Sequence, residues 1–183
     1  MSYLSNRETR AFPWYMRLLF WRQRRRYGRE LEPSLLWGRV PKTFLAMLVM
    51  YRTLDRKSSL LAPELRSLVQ VRISQINWCA FCVDLNAAIS LERGVAAEKV
   101  EALPRFEASA LFTDAEKSAL AYAEAVTDST RRSDAAPIVR LQQYFSDDAI
   151  VELAALIAYQ NMSSKFNAAL GVPAQGFCRI DLR

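Results

Sequence analysis

Apolar positions recur at helical spacing along most of the chain. From Pro41, the run P-K-T-F-L-A-M-L-V-M-Y-R-T-L puts Phe44, Leu45, Leu48, Val49 and Leu54 near one face. Proline itself suits a first helical turn. Pro63 opens a second run, with Leu65, Leu68, Val69 and Ile73 on one side and Arg66 on another. Asn77 is a good N-cap for a third helix, which would start at Trp78 and stop near Gly94. A short helix is expected from Val95 to Leu103, ended by Pro104. Thr113 and Glu116 form a capping-box pattern ahead of an alanine-rich helix that reaches Asp128. After the polar loop T-D-S-T-R-R-S-D, a helix is expected over Ala135–Phe145. Ser146-Asp147-Asp148 then caps a last long helix, Ala149–Leu170, which Gly171 and Pro173 stop. No period-two pattern competes and no repeat is visible, so the chain reads as all-α.

The first forty residues differ in character. Phe12, Trp14, Tyr15, Phe20, Trp21, Tyr27 and Trp37 alternate with Arg22, Arg24, Arg25, Arg26 and Arg29. Leu18, Leu19 and Phe20 with these arginines could form a basic amphipathic helix for an anionic membrane or RNA. The plainer reading is an arm whose aromatics pack on the domain or on a neighbouring subunit, with solvated arginines. The expected organisation is an aromatic, basic arm over 1–40 and one helical domain over 41–183.

Composition narrows this further. The chain has 183 residues, 51% of them hydrophobic, which suits one domain with its own core and excludes a disordered chain. Five glycines and seven prolines provide few turns for a sandwich or barrel. The net charge of +6 is concentrated in the arginine run, so a nucleic-acid groove along the domain is not expected. No apolar run reaches about 18 residues, and no apolar segment follows Met1. Neither a membrane span nor a signal peptide is expected, and a reducing, cytoplasmic setting follows.

The candidate chemistry lies in S-Q-I-N-W-C-A-F-C-V-D-L-N, residues 74–86, where Cys79 and Cys82 stand three apart. In reducing surroundings such a pair is more often redox-active or metal-binding than structural. The chain contains no histidine to activate a thiol. With Asn77 as N-cap, Cys79 would sit in the first turn, where free N–H groups and the helix dipole favour an anion. There a thiol pKa can fall from ~8.5 to about 3.5–7.5. Cys79, Cys82 and Asn86 would share one stripe, with Asp84 pointing away. Arg72 is the nearest charged helper in sequence. Zinc is disfavoured, because the pair supplies two of about four ligands and only Cys178 remains. No metal and no cofactor are expected.

At these residues the chain resembles the carboxymuconolactone decarboxylase / alkylhydroperoxidase (AhpD-like) family. The matching core is L-R-S-L-V-Q-V-R-I-S-Q-I-N-W-C-A-F-C-V-D-L-N, supported by L-F-T-D-A-E-K-S-A-L-A-Y-A-E-A-V-T and by the closing F-S-D-D-A-I-V-E-L-A-A-L-I-A-Y-Q-N-M-S-S-K-F-N-A-A-L-G-V-P. The resemblance covers roughly Leu60 to Pro173. It implies an AhpD-like helical fold that assembles as trimers or hexamers. It further implies Cys82 as the peroxidatic cysteine and Cys79 as the resolving one, re-reduced by a lipoyl or thioredoxin-like dithiol. This reverses the order suggested by the helix dipole alone. The family's proton relay uses a glutamate twelve residues before the first cysteine and a histidine four after the second. Those positions are Ser67 and Asn86 here, and neither side chain is a base near neutral pH. Glu64, one turn before Ser67, is the nearest carboxylate that could substitute. The polar residue between the cysteines is Phe81. The decarboxylase branch fits less well, for want of a histidine.

Two functional readings follow. The first is a thiol-disulfide redox protein of peroxidase or antioxidant type, acting on a peroxide or small disulfide, with Asn86 positioning the Cys82 sulfur or the peroxide. The second is a non-catalytic oligomeric binding or scaffold protein that keeps the fold, with Trp78 and Phe81 filling or shaping a pocket. Binding of the arginine run to nucleic acid or lipid is a weaker third. A partner for Cys178 is not readable.

Overall fold

Proline starts and polar caps set most of the helix boundaries. The structure, a computed structural model, describes residues 2–5, 7–130 and 135–180. Nine α-helices are formed among the described residues, with no strand. They are α1 (Trp14–Tyr27), α2 (Glu32–Trp37), α3 (Pro41–Leu54), α4 (Pro63–Ile76), α5 (Ala80–Glu92), α6 (Ala97–Glu101), α7 (Asp114–Thr127), α8 (Ala136–Leu141) and α9 (Asp147–Ala169). Pro41 and Pro63 each begin a helix, where the missing N–H costs no hydrogen bond. Thr113 and Glu116 close the capping box, and the Ser146 hydroxyl accepts the Ala149 N–H. None of these helices is long and apolar enough to cross a membrane.

Several boundaries depart from the sequence pattern. The expected Val95–Leu103 helix splits into α6 and a 3-10 turn over Leu103–Ala108. The expected Ala135–Phe145 helix stops at Leu141. Residues 131–134 of the predicted polar loop lie outside the described residues. On α3, Phe44 and Leu54 are buried, whereas Leu45 and Val49 are exposed. This helix presents the edge formed by Phe44, Met47, Leu48, Tyr51 and Leu54 to the cores.

Helix α4 is the central element and packs against α5, α7 and α9. Leu65, Leu68, Val69, Val71 and Ile73 build the main core on it. Burial around so much of its circumference also takes in Arg66, Ser67, Gln70 and Ser74. Buried polar groups need internal partners, and these partners organise the site. At the other end of the chain, Phe12, Met16, Phe20 and Trp37 bury themselves with Phe44. The Trp37 ring stacks on Phe166 of α9, with centroids 3.8 Å apart.

Candidate active site

The cysteine pair is set by the turn between α4 and α5. Asn77 does not cap α5: it closes α4, its N–H returning to the Ile73 carbonyl at 3.0 Å. Its side chain is tied elsewhere, donating to Asn161 Oδ1 and Ser164 Oγ on α9, each at 2.8 Å. Trp78 then takes a left-handed conformation, φ 55°, and remains 90% exposed. The N-cap of α5 is Cys79, whose Sγ accepts the Cys82 N–H at 3.2 Å. The pair is thus shifted by two positions from the sequence expectation, to N-cap and N3. Both sulfurs stay at the positive end of the helix.

Cys79 and Cys82 are joined as a disulfide and are nearly buried, at 1% and 4% exposure. Each faces a different space. Cys79 lines an outer cavity of about 730 Å³. Cys82 lines an inner one of about 240 Å³. Asn86 is on the inner side with Cys82, so the expected stripe is divided between the two cavities. Asp84 points away from it into the wall of the outer cavity.

The inner cavity is polar in places but carries no charged side chain. Asn86 Nδ2 donates to Ser74 Oγ at 3.2 Å, and Gln160 Nε2 donates to the same oxygen at 2.9 Å. The Ser74 hydroxyl in turn donates to the Gln70 carbonyl at 2.6 Å. An amide–hydroxyl network therefore runs beside the pair, with no member that titrates near neutral pH. Ser67, fully buried, bonds to the Glu64 carbonyl at 2.9 Å and does not line this cavity; its α4 member is Gln70. The amide on the sulfur is not Asn86 but Asn167 of α9, whose Nδ2 donates to Cys82 Sγ at 3.3 Å.

Three tyrosines, Tyr27, Tyr51 and Tyr159, also line the cavity, and the hydroxyls of Tyr51 and Tyr159 are shifted in pKa. Burial, reinforced by the Asp55 carboxylate, pushes the Tyr51 hydroxyl up to about 12. Burial likewise raises Tyr159, with the neighbouring Tyr51 adding to it. Both are neutral donors at physiological pH.

The outer cavity has the opposite character. Arg72 and Arg179 line it with Cys79 and Cys178, although Arg72 Nε is paired with Glu124 at 2.6 Å. Cys178 is a free, half-buried thiol. The segment carrying it is fastened to α5 by Asp84, which accepts the N–H groups of Gln175, Gly176 and Cys178, each at 2.7 Å.

Sequence reasoning did not identify Trp37, Gln70, Gln160 or Asn167. One signal was present: Gln160, Ser164 and Asn167 fall at four- and three-residue spacing on a largely apolar helix, marking a buried polar stripe.

Comparison with known proteins places this geometry. The model of the carboxymuconolactone decarboxylase family matches residues 42–125. The chain is 42% identical over 168 residues to the uncharacterized protein YnjA of Escherichia coli (strain K12), covering 92% of each chain. Its fold is similar to the alkylhydroperoxidase AhpD core of a peroxidase-related protein from Ralstonia eutropha JMP134, at TM-score 0.85 and 21% identity over 96% of this chain and 94% of that one. It is also similar to the debrominase Bmp8 in complex with 2,3,4-tribromopyrrole, at TM-score 0.82 and 23% identity over 97% and 95%. The chain belongs to the carboxymuconolactone decarboxylase family, with an all-α AhpD-like fold and the Cys79–Cys82 pair as its disulfide.

Proposed function

We propose that the protein is a thiol-disulfide oxidoreductase that reduces a small organic hydroperoxide at Cys82 and is re-reduced by a dithiol at Cys79. The observation that carries this reading is the position of the disulfide between two cavities of different chemistry, Cys82 on the uncharged one and Cys79 on the one lined by arginine. In the reduced protein the Cys82 thiolate attacks the terminal oxygen of R–O–O–H. The O–O bond breaks, Cys82 becomes a sulfenic acid, and the alkoxide leaves as the alcohol with the proton shed by Cys79. The Cys79 thiolate then attacks the sulfenic sulfur, hydroxide leaves and becomes water with the proton that Cys82 released on ionising, and the disulfide forms. A lipoyl or thioredoxin-like dithiol then supplies two electrons: one of its thiolates attacks Cys79 and releases Cys82 as the thiolate, and its second thiol displaces Cys79 from the mixed disulfide, so that the reductant leaves as its own disulfide. With no histidine or glutamate relay, the helix N-terminus and the Asn167 amide stabilise the thiolate.

The test is peroxide consumption with a dithiol as reductant. Cys79→Ser and Cys82→Ser are expected to abolish it. Unchanged consumption in both variants would leave the non-catalytic binding or scaffold reading in its place.

A halogenated aromatic is a second substrate class for the same sulfur chemistry, supported by the ring-rich cavity wall of Trp37, Phe44, Tyr51, Phe81 and Tyr159 and by the likeness to a debrominase. Two thiols would reduce the carbon–bromine bond to carbon–hydrogen, releasing bromide and leaving the disulfide. Bromide release from 2,3,4-tribromopyrrole by the reduced protein tests it. A homo-oligomer, trimeric or hexameric, fits the exposed apolar stripe of Leu45 and Val49 on α3. A monomeric mass by light scattering would refute that assembly.

A further inference from the structure

Two residues in the wall of the inner cavity each carry a buried polar atom that the fold leaves without a partner. Asn167 Oδ1 and Trp37 Nε1 are both buried, and neither has a hydrogen-bond partner among the described residues. Asn167 is 2% exposed and Trp37 7%, and both line the cavity that Cys82 lines. An unmade buried hydrogen bond costs about 1–3 kcal/mol, so two in one small space call for a reason. One is an acceptor and the other a donor, so their needs are complementary.

Asn167 is held at its nitrogen by the disulfide. Its Nδ2 is spent on the Cys82 sulfur, and a disulfide sulfur can only accept, which fixes the amide with its oxygen turned elsewhere. Within one carboxamide the nitrogen and oxygen are neighbours, so a donor bound to Oδ1 lies beside the sulfur. Trp37 is positioned by stacking on Phe166, the residue next to Asn167. The remaining wall has no charged side chain, so an ionised ligand would be buried without a counter-charge.

We propose that Trp37 and Asn167 are the specificity-determining pair of this cavity, binding a small uncharged molecule that carries a hydrogen-bond donor and an acceptor on the same or adjacent atoms. This rests on the redox reading above and deepens it. In a hydroperoxide the O–H would go to Asn167 Oδ1 and the alkyl-bearing oxygen would accept from Trp37 Nε1. That arrangement places the terminal oxygen, the electrophilic one, against the Cys82 sulfur. The cavity of about 240 Å³ corresponds to roughly eight waters of liquid volume, enough for a compact alkyl or aryl group.

The test separates binding from turnover. Affinity of the oxidised, full-length protein is measured calorimetrically for 2-phenyl-2-propanol, which has donor and acceptor, and for isopropylbenzene, which has neither. The wild-type protein is expected to prefer the alcohol by about tenfold, the worth of one to two neutral hydrogen bonds. Trp37→Phe keeps the ring stack and Asn167→Leu keeps the volume; each is expected to reduce that preference severalfold. Asn167→Ala repeats the test should the leucine variant lose its circular dichroism signal. Equal affinity for the two compounds, no binding of the alcohol, or an unaltered preference in the variants would overturn the proposal. Cumene hydroperoxide turnover is scored separately. Preference without turnover sinks the peroxidase reading and keeps the site; turnover without preference does the reverse.

Discussion

Asp84 Oδ1 accepts the backbone N–H of Cys178 at 2.7 Å, across 94 positions of sequence. With Gln175 and Gly176 on its other oxygen, this buried carboxylate anchors the whole segment after α9. Hydrogen bonds to a charged group contribute about 1.5–3 kcal/mol each, but an alanine leaves the freed N–H groups able to find water. Asp84→Ala is expected to cost about 3 kcal/mol in urea unfolding. Hydrogen exchange should speed up over residues 174–178, with little change in α4. Protection that stays unaltered there would refute the anchoring role.

Trp78 holds a left-handed conformation while 90% exposed. The backbone cost of that region for a bulky residue is about 1–2 kcal/mol, and its ring recovers almost nothing by burial. Trp78→Gly is expected to raise stability by about 1 kcal/mol, less whatever the more flexible unfolded chain takes back. A higher denaturation midpoint at constant slope would register this. Lining the outer cavity beside Cys79, the same ring would meet the dithiol of the proposed cycle. The variant should therefore slow re-reduction by a thioredoxin-like protein more than by dithiothreitol.

The raised phenols set the alkaline limit. Tyr51 is pushed up to about 12 and Tyr159 is also raised. An unfolded chain ionises its tyrosines near ~10. Below that pH both states hold the proton and stability is insensitive to these groups. Between about 10 and 12 the unfolded state sheds protons that the folded state keeps, so stability falls, by up to about 1.4 kcal/mol per pH unit for each tyrosine. Denaturation midpoints between pH 8 and 11.5 measure the slope. Tyr51→Phe is expected to shallow it, and an unchanged slope would count against the burial of that hydroxyl. Between pH 6 and 9, thiol modification of the reduced protein should follow the thiols alone.

Asp55 joins three helices by pairing with Arg66 Nε at 3.2 Å and Arg93 at 2.7 Å. The Arg66 side chain is 5% exposed. Removing the carboxylate strands a buried guanidinium, which costs about 3–5 kcal/mol. Asp55→Ala is expected to fall in that range. Asp55→Asn should lose less, because it keeps an acceptor. A loss under 1 kcal/mol in the alanine variant would show that the Leu61 carbonyl, 2.7 Å from Arg66 Nη1, is partner enough.

Legibility in the sequence follows the range of the interactions. Pro41 and Pro63 mark helix starts through their fixed φ and missing N–H, and Thr113 and Ser146 through bonds made within the first turn, and those starts read correctly. Asn77 misleads because its side chain is claimed by Asn161 and Ser164, more than eighty residues away. The Cys79–Cys82 pair is visible as spacing alone, whereas Ser67 and Asn86 stand out only through the family resemblance. What stands at the sulfur instead is not visible. Asn167 reaches Cys82 only because α9 packs against α5, and Trp37 reaches the cavity only because it stacks on Phe166.

The family pattern ends at residue 125 and begins at 42, enclosing both cysteines, Ser74 and Asn86. Trp37 precedes that stretch and Asn167 follows it. The cysteine pair and the two groups proposed to choose its ligand therefore lie in different stretches of the chain. Because Asn167 bonds to Cys82 Sγ and α9 builds the core around α4, exchanging the flanks between relatives would change ligand preference and thiol chemistry together.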